Sequence, residues 1–182
     1  MIDEPEYGAA AKGFHWLTAL LLAVQFGLGW IMPNIGRGMQ PESLMNLHLS
    51  IGVVILAAAL ARVAWRLVHG VPALEASLPA WQERMAQALH GLLYLLIFAL
   101  VLTGWSYASM RGWTVTIFGL MSLPALVAQG STIGRAIGEL HSILTWVLLG
   151  AIGLHVAAAL AHLLFWRDRV MQRMLPRFGL GD

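Results

Sequence analysis

The sequence contains no cysteine among its 182 residues. This absence excludes disulfide bonds, thiolate metal sites and iron–sulfur clusters held by cysteine. Charged residues are also scarce, at 11%, whereas an ordinary soluble domain has about a quarter. Because so few charges cannot cover a water-facing surface, the composition argues against a soluble enzyme, a nucleic-acid-binding protein and a disordered chain. With 59% hydrophobic residues and a mean hydropathy of +0.73, the chain is predicted to be an integral membrane protein.

The charge balance is only slightly basic, with a formal net charge of +2 that rests on ten arginines and a single lysine. We interpret this excess as membrane topology rather than affinity for a polyanion. Three acidic residues, Asp3, Glu4 and Glu6, precede the first apolar run. A signal peptide carries positive charge at this position. The first hydrophobic segment is therefore expected to be retained.

Four stretches of the chain are long and apolar enough to cross a membrane, which requires roughly 20 residues. They cover residues 14–32, 44–68, 86–110 and 137–166. Pro33 follows the first stretch, Gly70 follows the second and Pro79 precedes the third. A long connection, residues 111–136, separates the last two. Residues 1–182 are predicted to form one all-α membrane domain, a bundle of four transmembrane helices.

The distribution of basic residues predicts the orientation of this bundle. Eight lie near the helix ends on one side: Lys12, Arg62, Arg66, Arg84, Arg167, Arg169, Arg173 and Arg177. Three lie on the other side: Arg37, Arg111 and Arg135. Since positive residues are concentrated on the cytoplasmic side of membrane proteins, both termini are predicted to be cytoplasmic.

Several of the seven histidines fall inside the predicted spans, where an ionisable ring is costly without a partner. On the fourth helix, fourteen residues separate His141 from His155, so the two rings share a helix face about 21 Å apart. His48 has the same outer depth as His141, and His15 the same inner depth as His155. The topology thus predicts two inter-helical histidine pairs, stacked across the membrane.

Other histidines carry weaker predictions. His69 lies at the exit of the second helix and is expected to be solvated. His90, near the cytoplasmic end of the third helix, is interpreted as a packing or interfacial residue.

The ligand chemistry of the two pairs favours haem. A tetrahedral zinc site needs three or four ligands, and Glu139 is the only acid near any of these histidines. A di-iron carboxylate bundle needs Glu-x-x-His motifs, which the chain lacks. A planar haem iron needs only two axial nitrogens, and without cysteine the haem would be a non-covalent b type. Small residues beside the histidines would leave room for it: Gly13, Gly52, Gly150 and Gly153.

A different class of protein remains open from the residues alone. The histidines could serve packing or proton relay in a membrane scaffold or transporter without haem. Such a protein would be colourless after purification, whereas a haem protein would not.

The sequence resembles the bacterial cytochrome b561 family over nearly its whole length. The resemblance rests on F-H-W-L at 14–17, N-L-H-x-S-x-G at 46–52, A-x-x-x-H-x-x-x-Y at 86–94 and F-G-L-x-x-L-P at 118–124. It continues with L-H at 140–141, G-L-H-V-A-A-A-L-A-H at 153–162 and F-W-R-D at 165–168.

This resemblance implies a bundle that encloses two b haems in the bacterial inner membrane. One haem would be held by His15 and His155 toward the cytoplasm and the other by His48 and His141 toward the periplasm. One type of member is a superoxide oxidase, which passes electrons from periplasmic superoxide to ubiquinone. The residue that matches the family's quinone-site histidine is His162. The implied partners are membrane lipid, quinone, and superoxide or a periplasmic redox protein.

The arginines have candidate roles in such a carrier. Arg37, Arg111 and Arg135 oppose the positive-inside bias, so they could steer a small anion toward the outer haem, or contact lipid headgroups or haem propionates. Arg62 and Arg66 are candidate propionate partners on the inner side. The apolar loop over residues 113–127 is expected to cap the outer haem. The sequence does not decide the direction of electron flow, so a quinol-oxidising cytochrome that reduces a periplasmic partner is the alternative.

Overall fold

The structure is a computed structural model that describes residues 7–36, 38–70, 72 and 78–175. Four long helices dominate these residues: α1 (Ala9–Ile31), α2 (Ser43–His69), α3 (Ala80–Met110) and α4 (Gly134–Ala161). A π-helical turn (His162–Trp166) continues α4, and a short 3₁₀ turn (Gln172–Met174) follows. All four helices are long and apolar enough to cross a membrane, α4 together with its π-helical turn. The prediction of a four-helix membrane bundle is confirmed.

The helices extend beyond the predicted apolar stretches at their first residues. α1 begins at Ala9 rather than residue 14, α3 begins at Ala80 rather than residue 86, and α4 begins at Gly134 rather than residue 137. Hydropathy marks the segment that can lie in hydrocarbon, whereas backbone hydrogen bonds continue into polar surroundings. The first turns of α3 accordingly carry Glu83 and Arg84.

The bundle has a small apolar core to which all four helices contribute. Leu28 of α1, Ile55 of α2, Leu96 of α3 and Leu148 of α4 are buried in one cluster. Many large hydrophobic side chains instead point outward, among them Leu67, Trp146 and Phe165. Outward apolar side chains are expected where lipid rather than water surrounds a helix bundle. Among the described residues, the extensive helix contacts join α1 with α2, α2 with α3, and α3 with α4.

The connection between α3 and α4 contains a hairpin that the sequence analysis did not predict. β1 (Thr116–Ile117) and β2 (Met121–Ser122) are antiparallel, with Thr116 opposite Ser122. The turn between them places Phe118 at φ 49° and Gly119 at φ 74°. Two central residues with positive φ are what a type I′ hairpin turn requires. β1 packs against α2, so this loop lies on the bundle, while its capping of a haem stays a prediction.

The bundle therefore has two distinct ends. We call the end that carries the hairpin the hairpin end, and the end that carries the π-helical turn the π-turn end. At the π-turn end, the segment after α4 returns to the start of α1, where the Trp16 indole N–H donates to the Met174 carbonyl at 2.9 Å.

Candidate functional site

Two histidines from different helices face each other at the hairpin end. The ring centres of His48 on α2 and His141 on α4 lie 6.5 Å apart. Both side chains are partly buried. The structure thus brings together the outer pair that depth and helix face predict.

Helix α3 fixes the ring of His141. Its Nδ1 atom lies 3.0 Å from the carbonyl oxygen of Leu100 and 3.3 Å from the hydroxyl of Thr103. Because a carbonyl oxygen can only accept a hydrogen bond, Nδ1 must carry the ring proton. The lone pair of Nε2 is then free to bind a metal, and such a carbonyl partner on the other nitrogen is typical of ligating histidines.

A close helix approach makes room for this ring. A Cβ atom placed on Gly104 of α3 would lie 3.0 Å from Cε1 and 3.2 Å from Nδ1 of His141. The sequence alone does not indicate Gly104, because its partner is far away in the chain. Among the glycines that the sequence does indicate, a Cβ on Gly13, Gly150 or Gly153 would meet nothing within 4 Å, and one on Gly52 would lie 3.6 Å from Nε2 of Gln25.

The opposite ring, His48, lies beside unusual polar atoms. Its Nδ1 is buried without a hydrogen-bond partner among the described residues, and so is Oε1 of Gln25. The Gln25 amide also donates to the backbone carbonyl of His48 at 3.0 Å. Buried polar atoms are normally hydrogen-bonded, so the surroundings of His48 are those of a binding site rather than of a packed core.

Two cavities adjoin this outer pair, with volumes of about 330 Å³ and 650 Å³. His48, His141 and Gly104 line both of them. The smaller cavity is mainly apolar, while the larger one also reaches Arg111 and Arg135. The space beside the two rings can therefore accept a large apolar group with polar substituents.

Three histidines gather at the π-turn end. The ring centres of His15 on α1 and His155 on α4 lie 6.1 Å apart, and His90 on α3 lies 5.2 Å from His155. Arg62 of α2 donates from Nη2 to Nδ1 of His15 at 3.1 Å and lies over the Tyr94 ring at 5.6 Å. The sequence predicts the pair of His15 and His155 but not the contact of His90, although His90 shares the depth of His15.

Both predicted pairs fit the axial ligands of a haem. An axial metal–imidazole bond is about 2 Å long and the ring centre lies roughly 1 Å beyond the bonded nitrogen, so two rings on one iron have centres about 6 Å apart. The measured separations are 6.1 Å and 6.5 Å. Among the described residues, no group of three or more His, Cys, Asp or Glu side chains could hold a metal ion, the three histidines at the π-turn end included. Moreover, α4 packs mainly on α3, which leaves it separated from the two helices that carry the partner histidines.

His162 lies apart from these pairs in the π-helical turn. Its Nδ1 atom is 2.5 Å from Oδ2 of Asp168, and its ring centre is 4.7 Å from that of Trp166. In the sequence, Asp168 stands out only as part of the F-W-R-D motif. The spacing of six residues does not by itself predict its pairing with His162, because the pairing depends on the irregular end of α4.

The candidate arginines have different surroundings. Arg111 donates to the backbone carbonyls of Ile35 and Gly36 and lies 4.2 Å from the Trp113 ring centre, so it links the end of α3 to the segment after α1. Arg135 is exposed and lines the larger cavity with Arg111.

Two further arginines complete the predicted set. Arg66 is exposed on α2 at the π-turn end. Arg37 lies outside the described residues, as does Arg177 of the topology prediction.

His69, expected in solvent, is exposed at the end of α2. Its ring stacks on that of Trp65 with 3.7 Å between the centres. It takes part in neither histidine pair.

The fold and these pairs define a class of protein: a four-helix membrane bundle with two inter-helical histidine pairs suited to haem. The chain belongs to the prokaryotic cytochrome b561 family, whose sequence profile matches residues 6–177. Cytochrome b561 homolog 2 of Escherichia coli is 30% identical over 177 residues, which cover 96% of this chain and 94% of the relative. Cytochrome b561 homolog 1 of the same bacterium is 28% identical over 90% of this chain and 93% of the relative.

A third relative carries a functional name. The probable superoxide oxidase CybB of Yersinia pestis is 27% identical over 172 residues, covering 94% of this chain and 97% of the relative. Membership of the family makes this chain a membrane electron carrier and implies that it binds haem b.

Proposed function

We propose that the chain holds two non-covalent b haems and carries single electrons across the bacterial inner membrane, from superoxide on the outside to ubiquinone on the inside. The outer haem would be bound by His48 and His141, and the inner one by His15 and His155. The observation that carries this proposal is the pair of ring separations, 6.5 Å and 6.1 Å, each between helices that do not pack extensively on one another.

Haem supplies reversible one-electron oxidation and reduction when it is bound. At the outer site, the chain contributes a fixed ligand. The Leu100 carbonyl orients His141, Thr103 supports the same nitrogen, and Gly104 admits the ring. Each of these contacts keeps Nε2 of His141 available.

At the inner site, Arg62 has two competing uses. Its guanidinium can only donate, so its hydrogen bond to His15 leaves Nδ1 of His15 as an acceptor. Binding of iron through Nε2 of a neutral ring instead requires the proton on Nδ1. Arg62 would then turn away from His15, toward a carboxylate such as a haem propionate. Arg66, exposed four residues later, is the second candidate partner for a propionate.

At the outer surface, Arg135 and Arg111 favour a small anionic donor. Both line the larger cavity beside His48 and His141, and positive side chains around a cleft raise the local concentration of anions. Two superoxide ions would each lose one electron to become dioxygen. Ubiquinone would take up the two electrons with two protons and become ubiquinol. His162, at the π-turn end, is the proposed proton donor to the quinone.

The first test is the visible spectrum of the detergent-purified protein, air-oxidised and dithionite-reduced, with a pyridine haemochrome assay for haem per chain. We expect sharp low-spin b-type bands and about two haems per chain. One haem would mean that a histidine pair is assigned incorrectly. A folded, colourless protein would overturn the redox proposal and favour the scaffold or transporter.

Single substitutions identify the ligands. His155→Ala should remove the inner haem and His141→Ala the outer one, each leaving about one haem per chain. His90→Ala is the matched control at the inner site, because its ring contacts His155 but belongs to neither proposed pair. Retention of both haems in His90→Ala is expected, whereas loss of one would assign His90 as a ligand.

The direction of flow is tested with defined reactants. Superoxide added to the oxidised protein with a short-chain ubiquinone should yield ubiquinol, and His162→Ala should slow this reaction with an unchanged haem spectrum. Unchanged turnover of that variant would remove His162 from the quinone site. Preferential reduction by ubiquinol, with salt-sensitive binding of a soluble acceptor, would instead support quinol oxidation.

The proposed orientation places the π-turn end and both termini in the cytoplasm. A fluorescent protein fused after residue 182, as a reporter that is active in the cytoplasm, should fluoresce. Alkaline phosphatase fused at the same position should be inactive. The opposite pattern would invert the positions of both haems and of the proposed quinone site.

A further inference from the structure

The irregular end of α4 places Asp168 against His162. After the π-helical turn His162–Trp166, Arg167 adopts the left-handed conformation with φ 52° and ψ 34°. The chain then folds back, so that the backbone N–H of Asp168 donates to the His162 carbonyl at 3.3 Å. π-helical turns inside α-helices occur often at functional sites, and non-glycine residues with positive φ are uncommon. A regular helix would carry Asp168 away from His162.

Both carboxylate oxygens of Asp168 are held. Oδ2 lies 2.5 Å from Nδ1 of His162, and Oδ1 accepts from the backbone N–H of Val170 at 3.1 Å. The side chains of His162 and Asp168 are only 14% and 10% exposed. The carboxylate is therefore anchored by the backbone on one side and directs the imidazole on the other.

This contact decides which nitrogen of His162 can exchange a proton. A carboxylate accepts, so Nδ1 of His162 carries a proton in either charge state of the ring. Only Nε2 is then left to give a proton to a ligand or to take one up. A carboxylate that holds the far nitrogen of a histidine in this way fixes both the tautomer and the orientation of an acid–base catalyst.

We propose that Asp168 is the positioning residue of the quinone site, holding His162 so that Nε2 faces the quinone as proton donor. The proposal rests on the proposed role of His162 in quinone reduction. Nε2 gives a proton to a carbonyl oxygen of the quinone as electrons from the outer donor arrive, and takes another from water. Asp168 accepts the hydrogen bond from Nδ1 throughout, and two such transfers complete the two protons of ubiquinol.

Asp168→Asn is the most informative substitution because it preserves shape. If the Asn oxygen keeps the hydrogen bond from Val170, its NH₂ group faces Nδ1 of His162. Nδ1 must then accept, and the ring proton moves to Nε2. The hydrogen-bond pattern is thus reversed while the fold-back of the chain is retained.

The experiment measures superoxide-dependent ubiquinone reduction by the haem-loaded protein, and separately its reduction by superoxide without quinone. Asp168→Asn should lower kcat for quinone reduction about tenfold or more and leave the quinone-free reaction within twofold. Asp168→Glu should recover part of the loss. Glu83→Gln is the matched control, since it removes a carboxylate from the same end of the bundle, and it should leave both reactions unchanged.

A second readout does not depend on turnover. In the ¹⁵N NMR spectrum of protein with ¹⁵N-labelled histidine, the signals of His162 are identified by their absence from His162→Ala. They should show a protonated Nδ1 in the unaltered protein. In Asp168→Asn, the same nitrogen should have lost its proton. In the double variant His162→Ala/Asp168→Asn, the loss of kcat should equal that of His162→Ala alone, because Asp168 acts through His162.

The outcomes separate the two proposals. If His162→Ala has normal quinone turnover, the quinone role of His162 is wrong and the role of Asp168 is wrong with it. If His162→Ala is slow but Asp168→Asn is normal, only the positioning role is overturned. Additive losses in the double variant, or an unchanged His162 tautomer in Asp168→Asn, would also overturn it.

Discussion

At the scale of single residues, three of the candidate site histidines differ in the group that contacts Nδ1. A backbone carbonyl holds Nδ1 of His141, a guanidinium contacts Nδ1 of His15, and a carboxylate holds Nδ1 of His162. The first and third partners force the proton onto Nδ1, whereas the second forces it onto the other nitrogen. These rings therefore differ in which nitrogen carries the proton in this structure.

Gly104 provides a residue-scale test of the outer site. In Gly104→Ala, the new Cβ would lie 3.0–3.2 Å from the His141 ring, so the ring must shift, at a cost of about 1–3 kcal/mol for an overpacked site. We expect a reduced content of the haem proposed to bind His48 and His141, or a shifted α-band, in the purified variant.

The control for this prediction lies on the same helix. A Cβ on Gly91 of α3 would meet nothing within 4 Å, and alanine is favoured over glycine in a helix by about 1 kcal/mol. Gly91→Ala should therefore retain normal haem content. An equal loss in both variants would show that the effect comes from the helix and not from His141.

At the scale of elements, the connection between α3 and α4 is held on the bundle by two serines. The Ser50 hydroxyl of α2 accepts from the backbone N–H of Phe118 at 3.0 Å and lies 2.8 Å from the Thr116 carbonyl. The Ser109 hydroxyl of α3 accepts from the N–H of Leu126 at 3.2 Å. Trp113 and Val115 of this connection are themselves buried, so it forms a fixed cover over the hairpin end rather than a mobile linker.

Ser50→Ala tests this cover. The substitution removes the partner of two part-buried groups of the hairpin, the backbone N–H of Phe118 and the carbonyl of Thr116, which costs about 1–3 kcal/mol. Hydrogen–deuterium exchange in residues 113–122 should become roughly tenfold faster, because local opening is favoured. Ser43→Ala, at the exposed start of α2, should leave the exchange unchanged, and equal effects of the two variants would contradict the proposed anchoring.

At the scale of the whole molecule, α4 connects the two ends. His141 and His155 lie on this one helix, and their partners come from α2 and α1. The ends also differ in charge chemistry: Arg111 and Arg135 border the cavity at the hairpin end, while Arg62 contacts the histidine cluster at the π-turn end. The bundle thus offers two different sites that share one helix.

This polarity predicts how ionic strength affects the proposed superoxide reaction. Attraction of an anion by exposed arginines weakens as salt screens the charges. Arg135→Gln should lower the second-order rate of reduction by superoxide about twofold or more at low salt, and the difference from the unaltered protein should shrink at high salt.

The matched control is Arg84→Gln. Arg84 is also an exposed arginine, but it lies near the start of α3 at the π-turn end. The same rate measurement should show no change for this variant. Equal slowing by both variants would mean that net charge, and not the position of Arg135, controls the reaction.

The sequence by itself determined the membrane class, the four spans and the pairing of His15 with His155 and of His48 with His141. These features follow from hydropathy, helical period and depth, which are local properties of the chain. The tertiary structure decided which side chain meets which partner: Gly104 with His141, Arg62 with His15, and Asp168 with His162. The first two contacts depend on how helices pack, and the third on a π-helical turn and a left-handed residue that break the regular period. No local pattern contains that information, because packing and backbone irregularity are settled only when the whole bundle forms.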